Sequence, residues 1–115
     1  MADVRALVDE ATFEFTMGDH AKALQLIEQA LAQDPACFDA WLAKAEVHFD
    51  QRQLDDALAA AQEALKLDPD QAHIHTTLSR IYMERGDKQQ AEHHGAQARI
   101  KGWKAELSGQ RDDDE

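Results

Sequence analysis

This chain of 115 residues has a single cysteine, two prolines, five glycines, one tyrosine and two tryptophans. Cys37 has no partner for an internal disulfide, so the sequence predicts a protein of a reducing compartment. No stretch is long and apolar enough to read as a secretory signal or a membrane span, and the expected location is cytoplasmic. Cations are scarce: 12 Lys and Arg stand against 23 Asp and Glu, a net charge of −11 that repels a phosphate backbone. No Lys/Arg cluster reverses this locally, so nucleic acid is excluded as a partner. A glycine-rich phosphate loop, a nucleophile with its base and a cysteine-histidine zinc spacing are all missing, which points away from an enzyme. Aromatic residues make up only 6% of the chain while 43% is hydrophobic, a balance set by alanine and leucine. Such a composition suits closely packed helices better than sheets, so the expected class is all-α. At this length one domain is expected, burying about two-thirds of its unfolded surface.

What the chain does contain is a register of thirty-four residues. Ala23, Ala57 and Ala91 align, as do Ala30, Ala64 and Ala98; Asp34-Pro35 returns as Asp68-Pro69, Leu24 as Leu58, Leu31 as Leu65, and Gly18-Asp19 as Gly86-Asp87. Within each unit the apolar pattern divides into two helical segments, broken at Gly18-Asp19, Gln51-Arg52-Gln53 and Gly86-Asp87. Helices are therefore predicted near 3–17, 21–33, 38–51, 54–67, 72–85 and 88–101. The Asp-Pro pairs punctuate the turns between units, because a residue before proline is pushed out of the α region. Arg52 stands where the other tight turns have glycine, and positive φ there would store about 1 kcal/mol of strain. The aligned alanines, opposite Ala11, Ala45 and Ser79, let paired helices approach closely. After the third unit Ile100, Trp103 and Leu107 follow at i, i+3 and i+7 on a continuing helix, read as a cap over the last helix pair, with a break possible at Gly102.

A thirty-four-residue period of two short helices resembles the tetratricopeptide repeat family. Trp41 stands at the place of the family's tryptophan, where the flanking units have Leu7 and His75. Tyr82 stands at the place of its tyrosine, where the others have Glu14 and His48. The resemblance implies an α-α superhelix of three helix-turn-helix repeats, about 4–37, 38–71 and 72–105, with a terminal cap. These form one domain over 1–108, followed by an acidic tail, 109–115, expected to be disordered. It also implies that the first helix of each repeat lines a concave groove. Transferred by place, the lining is Arg5, Val8, Thr12, Phe15 and Thr16, then Asp39, Leu42, Glu46, Phe49 and Asp50, then His73, Thr76, Arg80, Met83 and Glu84. Val8, Phe15, Leu42, Phe49 and Met83 would form an apolar floor bordered mostly by acidic side chains, a surface that fits a protein partner. Aromatic residues at helical spacing also serve as core, so the sequence leaves both placements of Phe15, Phe49 and Met83 open.

Some members of the family clamp the C-terminal carboxylate of heat-shock chaperones with lysine, asparagine, asparagine, lysine and arginine. The matching places here hold Val8, Thr12, Ala43, His73 and Thr77, none of them lysine or arginine, so the clamp is expected to be absent. His73 with His75, and His93 with His94, are spaced by two and one along single helices, which sends their rings to divergent faces and argues against chelation. His93 and His94 are expected on a solvated face, and His75 as a partly buried packing residue. Cys37, just after an inter-repeat turn, reads as a packing residue. The leading reading is a non-catalytic adaptor without cofactor, whose groove takes an apolar peptide or helix with basic flanks. The alternative is a homo-oligomeric assembly protein using the same apolar patch, possible as a homodimer, and a histidine-based metal protein or enzyme ranks last.

Overall fold

The computed structural model describes the backbone of residues 3–113 and the side chains of residues 3–108. Among the described residues there are six helices and no strand: α1 Val4–Thr16, α2 His20–Gln33, α3 Phe38–Asp50, α4 Leu54–Leu67, α5 Ala72–Arg85 and α6 Lys88–Asp113. By packing the chain divides into two compact units, Met1–Asp68 and Pro69–Glu115. In the first unit α1 pairs with α2 and α3 with α4, while α3 also lies against α2 and α1. In the second, α5 pairs with α6. No described helix is long and apolar enough to cross a membrane.

One device closes the first helix of every repeat. Gly18 N–H donates to the Phe15 carbonyl and Asp19 N–H to that of Glu14; Arg52 and Gln53 do the same to Phe49 and His48, and Gly86 and Asp87 to Met83 and Tyr82. This is the Schellman closure, which uses a left-handed residue to satisfy the last free carbonyls. Gly18 and Gly86 supply φ of 89° and 84°, and Arg52 adopts 63° despite its side chain. The guanidinium of Arg52 lies 5.8 Å from the centre of the Phe49 ring, a contact that offsets part of the strain. Two of the second helices, α2 and α6, begin where Asp19 and Asp87 accept from Lys22 N–H and Gln90 N–H, satisfying one orphan donor each, while Gln53 before α4 makes no such bond.

The alanines at Ala23, Ala57 and Ala91 are fully buried or nearly so. Ser79 makes the third contact polar by donating to the Ala91 carbonyl at 2.7 Å. Trp41 and His75, which share a repeat place, perform the same task with different rings. Trp41 Nε1 donates to the Pro35 carbonyl at 2.8 Å, and His75 Nε2 to the Pro69 carbonyl at 2.7 Å. The aromatic N–H thus ties α3 and α5 each to its preceding turn, and histidine replaces tryptophan without losing the bond.

At the end of the chain the continuing helix is present as expected, and the possible break is not. α6 continues through Gly102, whose added Cβ would only touch Ala72 at 3.8 Å. Ile100, Trp103 and Leu107 do share a face, but that face is exposed, so they do not cover the last helix pair. The opposite side of α6 does the packing: Ala91 and His94 are buried, Gly95, Ala98 and Gly102 half-buried, and Lys101 is anchored on Asp70 at 3.1 Å. The side chains of the acidic tail, 109–115, lie outside the described residues.

Candidate functional site

In the first unit, the inner-stripe places fall on two adjacent helices, α1 and α3. Arg5, Thr12, Thr16, Asp39 and Asp50 are exposed, and Phe15, Glu46 and Phe49 are half-buried. Val8 and Leu42 are 9% and 8% exposed. They are buried, which corrects the expectation that they form an open floor; Val8 belongs to the core cluster of α1, α2 and α3. The apolar surface that remains is the upper edge of Phe15 and Phe49. Phe15 packs partly on the core and meets the His20 ring edge-on at 5.6 Å between centres. His20 Nε2 lies 2.6 Å from Asp50 Oδ2, so a Phe15–His20–Asp50 chain fixes one end of the stripe across the first two repeats. The hydroxyls of Thr12 and Thr16 donate to the carbonyls of Val8 and Thr12 four residues back, leaving the methyl groups as the outward surface.

In the second unit, His73, Thr76, Arg80, Met83 and Glu84 are all exposed on α5, and Met83 at 56% is the most open apolar side chain of the stripe. Thr76 donates to the Ala72 carbonyl in the manner of Thr12. Of the places of the carboxylate clamp, Val8 and Thr77 are buried, Ala43 is half-buried, and Thr12 and His73 are exposed.

The histidines are arranged differently from the sequence reading. His94 is buried, not solvated, and its Nδ1 lies 3.0 Å from His75 Nδ1 on α5. His75 uses its Nε2 proton on the Pro69 carbonyl, so its Nδ1 is the acceptor and His94 Nδ1–H the donor. The Tyr82 ring stacks on His94 at 5.7 Å and His93 meets it edge-on at 5.1 Å. Burial first, then the neighbouring His75 and His93, lowers the His94 pKa below its ordinary 6.5. Spacing within one helix could not reveal this pair, which joins two helices. Among the described residues no group of three or more His, Cys, Asp or Glu side chains is placed to hold a metal ion. The corresponding places of the second repeat carry Ala59 and Ala60, and there a cleft of about 410 Å³ opens between α3 and α4, walled by Trp41, Lys44, His48, Asp56 and Glu63. Lys44 lies 5.3 Å from the Trp41 ring centre and is paired with Glu28 at 2.7 Å, so the cleft's one cation is engaged. Cys37, the N-cap residue of α3, packs against the core as expected.

The sequence matches the tetratricopeptide repeat over residues 8–72 and again over 48–99. Among solved structures, MamA superposes with a TM-score of 0.84 at 17% identity, covering 91% of this chain and 61% of its own. A second MamA structure is covered over 59% of its length, so this chain spans well under two-thirds of those proteins. The type III secretion translocator chaperone SycD of Yersinia enterocolitica gives 0.81 at 16% identity, covering 93% of this chain and 84% of its own. The second tetratricopeptide domain of Spaghetti (RPAP3), bound to the HSP90 peptide SRMEEVD, gives 0.81 at 14% identity over 84% of this chain and 90% of its own. At these identities the likeness is one of fold. With the match over more than half its length, the thirty-four-residue register and three identical Schellman closures, the chain belongs to the tetratricopeptide repeat family.

Proposed function

We propose that this protein is a non-catalytic, cofactor-free interaction module whose three repeats act as one domain and bind a protein segment along the inner stripe. The observation that carries the reading is the chemistry of that stripe. Phe15, Phe49 and Met83 give apolar purchase in all three repeats, and Asp39, Glu46 and Asp50 border it with negative charge. Such a surface accepts a segment with a few apolar anchors and flanking Lys or Arg. The SRMEEVD peptide carried by the RPAP3 domain supports peptide binding in this fold. It does not carry over as a ligand, because an acidic C-terminal peptide needs cationic donors that the clamp places lack here. A cytoplasmic setting suits the lone, packed Cys37.

The test is affinity capture with two baits, the wild-type chain and Phe49→Glu/Met83→Glu, read by mass spectrometry. Leu42 is avoided because a charge at that buried place would attack the core. The expected result is a protein retained by the wild type and lost from a variant of unchanged helicity. Equal retention by both baits removes the stripe from the account.

A further inference from the structure

Comparing the repeats place by place exposes an irregularity on α1. Phe13, Val47 and Ile81 share one repeat place; Val47 and Ile81 are 1% and 0% exposed, whereas Phe13 is 61% exposed. Ala6 is likewise exposed where Ala40 and Ile74 are buried, and Met17, one turn beyond Phe13, is 67% exposed. In α3, Val47 belongs to the buried cluster that also holds Ile27 and Leu31 of α2, the helix lying against it. α1 thus presents bare the kind of face that α3 covers with a neighbouring helix. Asp9 and Glu10 border it.

On α6, Ile100, Trp103 and Leu107 form a second exposed apolar ridge, with Trp103 at 68%. It lies opposite the side that packs on α5, and by helical spacing Lys104 flanks it on one shoulder and Arg99, with Glu106 beside it, on the other. One ridge is bordered by the two acids and the other mainly by bases, Arg99 and Lys104 against the single Glu106. Each gathers large exposed apolar side chains on one helix face, the kind of grouping that marks interaction surfaces.

We propose that these two surfaces are partners, the α6 ridge of one copy docking on the α1 face of a second copy. Charge selects this pairing: α1 against α1 sets Asp9 and Glu10 against themselves, and α6 against α6 does the same with Arg99 and Lys104, while α1 against α6 sets acid against base. The contact is heterologous, so it propagates from copy to copy or closes into a ring. It uses neither Phe49 nor Met83 and stands apart from peptide capture by the inner stripe.

Size-exclusion chromatography with light scattering, run over a wide concentration range, tests it. The wild-type mass is expected to rise with concentration and to fall with added salt. Phe13→Glu and Trp103→Glu are each expected to be monomeric, and an equimolar mixture to form a dimer that grows no further, since each variant keeps one intact surface. Phe49→Glu/Met83→Glu leaves the wild-type behaviour unchanged. A wild type that stays monomeric throughout overturns the proposal, as does a mixture that stays monomeric. A single variant that assembles as the wild type does also overturns it, because that is the mark of a symmetric contact. Should either glutamate variant lose helicity, Asp9→Lys/Glu10→Lys and Arg99→Glu/Lys104→Glu replace the pair, each expected to be weakened alone and restored in the mixture.

Discussion

His94 shows how one substitution can bring new chemistry to a repeat place. The first two repeats hold Leu26 and Ala60 there, both buried, and the third holds an imidazole stacked on Tyr82 and bonded to His75. Burial, then His75 and His93, lowers its pKa in the folded chain below the 6.5 of the unfolded one. Between those two values the unfolded state binds more protons, so the contribution to stability is complete above 6.5 and lost as pH falls toward the folded value. The melting temperature is therefore expected to drop between about pH 7.5 and pH 5.5. His94→Leu, which restores the residue of the first repeat, is expected to flatten that slope in thermal melts followed by circular dichroism. A slope unchanged in the variant would assign the titration elsewhere. The left-handed turn of Arg52 was legible in the sequence because the repeat register aligned it with Gly18 and Gly86. The His75–His94 bond was not, because its partners lie on different helices and only their packing brings the rings together.

At the scale of elements, five of the six helices begin and end within a residue of the boundaries predicted from periodicity and breakers. The reason is local: Schellman closures, Asp caps and Asp-Pro turns act over a few residues, where sequence speaks directly. The exception is α6, where no Asp-Pro stops the helix and Gly102 alone does not break it, since glycine in a helix costs only about 1 kcal/mol relative to alanine. The orientation of its last turns followed from contact, with Lys101 anchored on Asp70 and Gly102 against Ala72, which turns Trp103 outward. Gly95 offers a check on the same helix. An added Cβ there meets only Ser79 Oγ at 3.5 Å, an ordinary contact. Gly95→Ala is accordingly expected to stabilise the protein by about 0.5–1 kcal/mol in chemical denaturation. A loss of stability would mean that the Ser79 bond to the Ala91 carbonyl is disturbed.

Charge is distributed unevenly over the whole molecule. Residues 1–68 carry 14 acidic and 5 basic side chains, a net charge of −9, whereas residues 69–115 carry 9 and 7, a net charge of −2. On the proposed reading, a segment with basic flanks is drawn most strongly to the second repeat, where Asp39, Glu46 and Asp50 stand. Association with such a segment is expected to slow by about tenfold or more as salt rises from about 0.05 to about 0.5 M, measured by stopped-flow or surface resonance. Glu46→Lys is expected to shrink that dependence. An association rate indifferent to salt would place recognition in the apolar contacts alone.

The sequence by itself determined the repeat number, the boundaries of α1 to α5, the turn conformations and the family, because each rests on interactions within a few residues and returns every thirty-four. It also supplied the candidate stripe by place. Tertiary packing decided which of those side chains are available. Val8 was drawn into the cluster shared by α1, α2 and α3, Leu42 was buried on α3, Met83 was left open, and His75 and His94 were brought within bonding distance. Periodicity assigns a residue to a face of its helix; whether that face is covered depends on the neighbour the fold sets against it.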